Sequence, residues 1–130
     1  MEEYISWDYQ TPGISFSEKS GRIIVFKKTL ELLGFPAYYR FLFDPKGQSF
    51  AVQSCEMDDE GSHKLPKLTQ NDYCEIKSLA LVKFIYKSCP WNGKISYRIP
   101  GQMVTDHNLV RFDLNKALEI HEGRLIEPSM

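Results

Sequence analysis

The sequence has no hydrophobic run long enough to cross a membrane. Its longest apolar stretches, residues 23–26 and 79–82, fall far short of the roughly 20 residues that a spanning helix needs. The pattern of a signal peptide is also missing, because acidic residues follow Met1 where such a peptide carries positive charge and then an apolar segment. These absences predict a protein without a membrane anchor.

Cysteine is scarce. The three cysteines, Cys55, Cys74 and Cys89, are widely and unequally spaced, and no C-x-x-C pair occurs. An odd set without such pairs indicates neither a disulfide framework nor a zinc site. We therefore expect reduced, mostly buried thiols and a cytoplasmic location.

Neither sign of charge dominates, since 16 lysines and arginines stand against 17 aspartates and glutamates and leave a formal net charge of -1. Non-specific nucleic-acid affinity comes mainly from basic side chains that displace counterions from phosphates, so the overall charge does not indicate it. A local basic face is still compatible with this composition. The glycines are isolated and form no G-x-G-x-x-G or Walker motif, which disfavours a nucleotide-dependent enzyme.

The first half of the chain contains the patterns of two hairpins and a helix. Alternating apolar residues and turn residues predict β hairpins within residues 14–26 and 38–53. Between them, helical spacing of leucines predicts a short helix that begins at Lys27 and stops at Gly34.

The second half repeats this order. Alternation predicts strands at residues 73–76, 94–99 and 109–114. Ser78 is a suitable cap for a helix whose apolar positions recur at helical spacing as far as Cys89. We expect Pro100-Gly101 to end a strand, and residues 115–121 have a helical pattern.

The order strand, helix, strand, strand thus occurs twice, in unit one (about residues 14–54) and in unit two (about residues 72–121), joined by an acidic linker loop (residues 55–70). Each unit alone would leave a face of its sheet uncovered, so we predict one domain, residues 1–130. The predicted fold class is α+β, with pseudo-duplicated strand-helix-strand-strand units and a mainly antiparallel sheet.

Catalytic and metal-binding patterns are weak. A cysteine nucleophile such as Cys74 would need a histidine base, and no local signature of a cysteine hydrolase accompanies it. Acidic residues 58–60 with His63, and Asp106 with His107, lack the ligand rhythm of a calcium loop. We predict no catalytic residue, no metal site and no cofactor, because buried thiols and solvated carboxylates explain these residues better.

Aromatic and basic residues instead favour a binding surface, because bases stack on aromatic rings and phosphates pair with cations. The candidate contact residues are Arg40, Arg98, Tyr39, Tyr97, Trp91, Lys27 and Lys28. A purely structural role stays open, since strand aromatics are often core residues and cations often balance neighbouring acids.

The N-terminal segment carries three further aromatic residues, Tyr4, Trp7 and Tyr9, outside either unit. Aromatic residues of this kind commonly anchor protein interfaces. We expect them to pack on the domain, or to contact a protein partner that includes a second copy of the chain as a homodimer.

Most of the chain resembles a group of small proteins of Gram-positive bacteria that are encoded near integrases on mobile elements. The segments that carry this resemblance are "GRIIVFKKTLELLG", "CEIKSLALVKFIYKSCPWNGKISYRIPG" and "VRFDLNKALEI". They consist of hydrophobic pattern and turn residues rather than catalytic motifs. The resemblance implies a bacterial protein of mobile-element biology, with no activity that can be carried over to particular residues.

Unit one is also similar to the swapped-hairpin DNA-binding folds of transition-state regulators, but the chain lacks their basic character and continues into a second unit. The sequence therefore predicts a small non-enzymatic binding or regulatory protein that contacts nucleic acid or protein. The alternative is a domain that encloses a small ligand or effector between its units. A Cys–His enzyme is a third hypothesis and requires a thiol that reacts rapidly at neutral pH.

Overall fold

A computed structural model describes residues 5–8, 10–67 and 73–128. The α-helices among these residues are α1 (Lys27–Leu32) and α2 (Leu79–Ser88). The strands among them are β1 (Gly13–Ser17), β2 (Arg22–Phe26), β3 (Tyr38–Asp44), β4 (Ser49–Cys55), β5 (His63–Lys64), β6 (Tyr73–Lys77), β7 (Ser96–Val104), β8 (Leu109–Asp113), β9 (Leu118–His121) and β10 (Arg124–Ile126).

The predicted α+β class and mainly antiparallel sheet are confirmed. Each pair of strands that is hydrogen-bonded within the described residues runs antiparallel. The strand order is β5-β3-β4-β8-β7-β1-β2-β6, with β9 beside β7 and β10 beside β9. The sheet curls so that its two ends approach each other, since Tyr39 Oη on β3 lies 3.6 Å from Cys74 Sγ on β6.

Both predicted hairpins are present, and their alternation separates a core face from an outer face. In the first hairpin Ile14 pairs with Val25 and Phe16 pairs with Ile23, and these four side chains are buried. Successive strand residues point to opposite faces, so Ser15 and Ile24 face outward. The reverse turn is completed by Gly21, whose φ of 66° lies in the left-handed region that glycine adopts readily.

The helices end in the same way. The N–H of Phe35 donates to the carbonyl of Leu30, and the N–H of Trp91 donates to the carbonyl of Tyr86, each reaching back five residues. This bond satisfies carbonyls that the last helical turn leaves open. Neither helix in the described part of the chain has the length and apolar character needed to cross a membrane.

Strand β7 departs from the prediction, because Pro100-Gly101 does not end it. The first half of β7 pairs with β1, and from Gly101 to Val104 it pairs with β8. The N–H of Gly101 donates to the carbonyl of Pro12, so the sheet continues past the proline. Proline lacks an N–H, and here it stands where β7 exchanges one neighbour for another.

Two further segments differ from their predictions. Residues 115–121 are not one helix: a 3-10 turn at Leu114–Lys116 leads into β9, whose backbone pairs with β7. The helical prediction was wrong because the apolar positions here serve strand pairing with a distant part of the chain. The predicted linker loop contains β5, which pairs with β3, while its residues 68–70 lie outside the described residues.

Helix α1 is fixed to β1 by one buried side chain. Thr29 Oγ1 donates to the carbonyl of Gly13 at 2.9 Å and accepts from the N–H of the same residue at 2.9 Å. Gly13 pairs with Pro100 of β7 but lies one residue beyond the last β1–β2 pair, so its N–H and carbonyl have no partner on β2. The threonine hydroxyl takes that partner's place in a fully buried position.

We predict that Thr29→Val lowers the free energy of unfolding by about 1–3 kcal/mol, because it leaves a buried N–H and carbonyl unsatisfied at almost unchanged volume. Urea unfolding measures the loss. Thr29→Ser is the matched control, since it keeps the hydroxyl and removes only a methyl group. Equal losses in the two variants would show that methyl packing, and not the hydrogen bonds, matters at this position.

Candidate functional site

The N-terminal arm (residues 5–8 and 10–12) lies over the outer face of the sheet. Its start is held by a backbone hydrogen bond of 2.9 Å from the Ile5 N–H to the Leu125 carbonyl. A turn follows, in which the N–H of Gln10 donates to Asp8 Oδ1 at 2.9 Å. The predicted aromatic residues Tyr4 and Tyr9 lie outside the described residues, so Trp7 is the arm aromatic whose position is known.

Arg98 lies on the same outer face, beneath the arm. The β1–β7 register pairs Ser15 with Arg98 and directs the flanking residues of β7 into the core. The guanidinium carbon of Arg98 lies 4.7 Å from the ring centroid of Phe26 and 5.2 Å from that of Trp7. Both distances are within the range of cation–π attraction.

These residues open onto a pocket of about 490 Å³, which we call the arm pocket. Its wall combines residues of the arm, the β2–α1 junction, the start of β6 and the middle of β7. The lining residues are Trp7, Gln10, Thr11, Phe26, Lys27, Lys28, Glu31, Tyr73 and Arg98. Pockets of this volume hold small organic ligands, for which surveys give about 300–1,000 Å³.

The described lining of the arm pocket contains more cations than carboxylates. Its lining includes the cations Lys27, Lys28 and Arg98 but a single carboxylate, Glu31, within the described residues. Lys28 Nζ lies 2.8 Å from Glu31 Oε2. The hydrogen bond and charge of Lys28 lower the pKa of Glu31, so this carboxyl stays ionised in neutral solution.

Three of the predicted contact residues, Lys27, Lys28 and Arg98, are brought together in this pocket. Two others belong to the core: Tyr39 is 1% exposed and Tyr97 is 4% exposed.

The remaining two predicted contact residues also make their contacts elsewhere. The ring of Trp91 stacks on that of Tyr97 with centroids 4.4 Å apart. Arg40 Nε donates to Gln53 Oε1 at 3.0 Å on the β3–β4 hairpin. The structure therefore does not bring Arg40 and Arg98 into one surface.

Six lining residues, among them Trp7, Phe26, Glu31 and Tyr73, were not selected from the sequence as part of a site with Arg98. Trp7 carried a signal, as an aromatic residue outside both units. Phe26, Glu31 and Tyr73 carried none, because their places in the pocket depend on strand pairs such as Phe26 with Tyr73 that connect distant parts of the chain.

The described cysteines lie in environments that disfavour the thiolate. Cys55, Cys74 and Cys89, all described, are free thiols. Burial raises the pKa of all three, that of Cys89 to about 11. A raised pKa leaves less of the reactive thiolate at neutral pH. Within the described residues no group of three histidine, cysteine or acidic side chains is arranged to hold a metal ion.

Family models, curated protein sequences and solved structures were compared with the chain, and none matches. The residues of the arm pocket are therefore the basis on which a function can be inferred.

We predict that Gly13→Ala displaces the ring of Trp7. A Cβ at this position would lie 2.5 Å from Trp7 Cζ2 and 2.6 Å from Phe26 Cδ2, closer than side-chain packing allows. In a Trp91→Phe background Trp7 is the one remaining tryptophan, since the chain has two, and its emission should shift to longer wavelength on exposure.

Gly93→Ala is the control for this change, because its Cβ would meet only the carboxylate end of Glu18. A flexible side chain of that kind moves aside. An emission spectrum that changes equally in both variants would contradict a docked Trp7 ring.

Proposed function

We propose that the protein is a non-enzymatic binding protein whose arm pocket takes up a small anionic molecule with a flat, apolar part. The observation that carries this proposal is the meeting of three cations and three aromatic rings around one cavity of about 490 Å³. Cations attract the anionic group, and the rings bury the flat part and stack on it.

The chemistry of the lining supports binding rather than catalysis. No histidine or cysteine lines the arm pocket in the described ranges, and its carboxylate is paired with Lys28. General acid-base catalysis works best with a group whose pKa lies near the working pH. The lysines, the arginine and the glutamate that pairs with Lys28 are suited to binding and orienting an anionic ligand.

We also propose that the two units are copies of one ancestral unit. Phe43 pairs with Phe50 in the β3–β4 hairpin, and Met103 pairs with Val110 in the β7–β8 hairpin, an offset of 60 residues in both strands (103 minus 43, 110 minus 50). The strand-helix-strand-strand order of β2, α1, β3 and β4 also recurs in β6, α2, β7 and β8.

The same offset relates details of the turn and of the strand pairing. Gln48 and Asn108 both have a left-handed backbone, with φ of 48° and 51°. Ala51 of β4 pairs with Arg111 of β8. The offset of 60 residues also makes Arg111 the residue equivalent to Ala51. A two-fold axis between β4 and β8 requires that equivalent residues pair in this way. In this arrangement the arm pocket lies between the units, since Lys27 belongs to unit one and Arg98 to unit two.

We predict that Arg98→Gln weakens the binding of flat anions to the arm pocket by about tenfold, the loss expected for one charge-assisted hydrogen bond. The measurement is a titration of Trp7 fluorescence in the Trp91→Phe background. The probes are 2-naphthoate, 1-naphthalenesulfonate and adenosine 5′-monophosphate, with neutral 2-naphthol for comparison.

Arg40→Gln is the matched control, because it removes the same charge from a residue outside the pocket and should leave affinity unchanged. Thermal unfolding of both variants checks that the fold is intact. Binding that is absent for every anionic probe, or that is reduced equally by the two substitutions, would rule out the arm pocket as the binding site.

A second candidate function is the binding of single-stranded nucleic acid, which the neighbouring aromatic and cationic side chains of the pocket favour. Successive bases stack on aromatic rings, and cations follow the phosphates. A single-stranded 12-mer titrated at two salt concentrations separates the two functions, because strand binding is strongly salt-dependent. A role in mobile-element biology is proposed on the sequence resemblance alone.

A further inference from the structure

The described lining of the arm pocket offers several cationic donors to one anionic group. These donors are Lys27, Lys28 and Arg98, and the carboxylate beside them, Glu31, pairs with Lys28. A phosphate monoester carries a charge of about -1.5 to -2 at neutral pH and has three terminal oxygens that accept hydrogen bonds.

The donors come from two directions. Lys27 and Lys28 are supplied by the β2–α1 junction, and Arg98 by the middle of β7. A terminal phosphate can accept from several donors at once, because its oxygens point away from the ester bond in different directions. A phosphodiester has two unesterified oxygens and one charge, so it meets the same donors less completely.

Arg98 is held in place by contacts with two aromatic rings. Its guanidinium lies against the rings of Phe26 and Trp7, at 4.7 Å and 5.2 Å from their centroids. A side chain held in this way loses little further freedom on binding, and its planar set of donors suits phosphate oxygens. The same rings, together with Tyr73, provide the flat apolar surface on which a base can stack.

We infer that the ligand of the arm pocket is a nucleoside monophosphate group, with the base against the aromatic wall and the terminal phosphate on Lys27, Lys28 and Arg98. This inference rests on the proposed function and names its ligand class. The group is either a free nucleotide or the phosphorylated end of a nucleic acid strand, which share this chemistry. Gln10 and Thr11 add hydrogen-bonding side chains to the arm side of the pocket.

The test compares adenosine 5′-monophosphate, adenosine 3′,5′-cyclic monophosphate and adenosine, titrated into the Trp91→Phe protein. We expect the monoester to bind about tenfold more tightly than the cyclic diester, and adenosine to bind most weakly. Lys27→Gln should reduce the preference for the monoester while leaving the affinity for adenosine unchanged. Lys46→Gln, which removes a lysine from the β3–β4 turn, is the control.

Two hexanucleotides, with a 5′-phosphate and with a 5′-hydroxyl, distinguish the sources of the group. Tighter binding of the phosphorylated hexamer than of the mononucleotide assigns the site to a strand end, and equal or weaker binding assigns it to a free nucleotide. Equal affinity for monoester and cyclic diester would overturn the inference and leave the proposed function standing if 2-naphthoate still binds. Loss of all anionic probes would overturn both.

Discussion

The antiparallel pairing of β1 with β7 is the constraint on which the arrangement of the candidate site depends. It places the start of the chain against its second half, in a register that pairs Ile14 with Ile99 inside and Ser15 with Arg98 outside. Side chains alternate between faces, so a slip of one residue would move Arg98 into the core and an isoleucine to the surface. The burial of Ile14 and Ile99, both fully enclosed, therefore fixes where the arginine points. Through Thr29, the same end of β1 also fixes α1 and the lysines at its start.

Local signals predicted much of the fold. Both hairpins and both helices follow from alternation, helical spacing and turn residues, which act within a few positions of the chain. The errors lie where distant pairing overrides local preference. Pro100 was expected to end a strand, but β7 has partners on both sides of it, and residues 115–121 follow a helical pattern although β7 recruits them as a strand. The candidate site follows the same division. Lys27, Lys28 and Arg98 were selected from the sequence as cations near aromatics, whereas their meeting in one pocket depends on tertiary pairing.

Under the proposed duplication, the two candidate arginines Arg40 and Arg98 are not counterparts of each other. With an offset of 60 residues, taken from the two hairpins, Arg98 corresponds to Tyr38 and Arg40 corresponds to Pro100. Tyr38 pairs with Lys64 on the two-residue strand β5, whereas Arg98 pairs with Ser15 on the longer strand β1. The two sides of the sheet thus differ in the residues that an anion would meet.

The arm contributes one wall of the pocket. Its described attachments include the hydrogen bond from Ile5 to Leu125 and the packing of Trp7 on Phe26 and Arg98. A ligand that contacts Trp7 binds the docked arm and not a detached one, so ligand binding and arm docking are thermodynamically linked. The linkage is reciprocal: the factor by which arm docking strengthens ligand binding equals the factor by which bound ligand favours arm docking. Gly13 lets the Trp7 ring approach the backbone, and Arg98 attracts the same ring. Both residues therefore influence ligand affinity through the position of the arm, apart from any direct contact with the ligand.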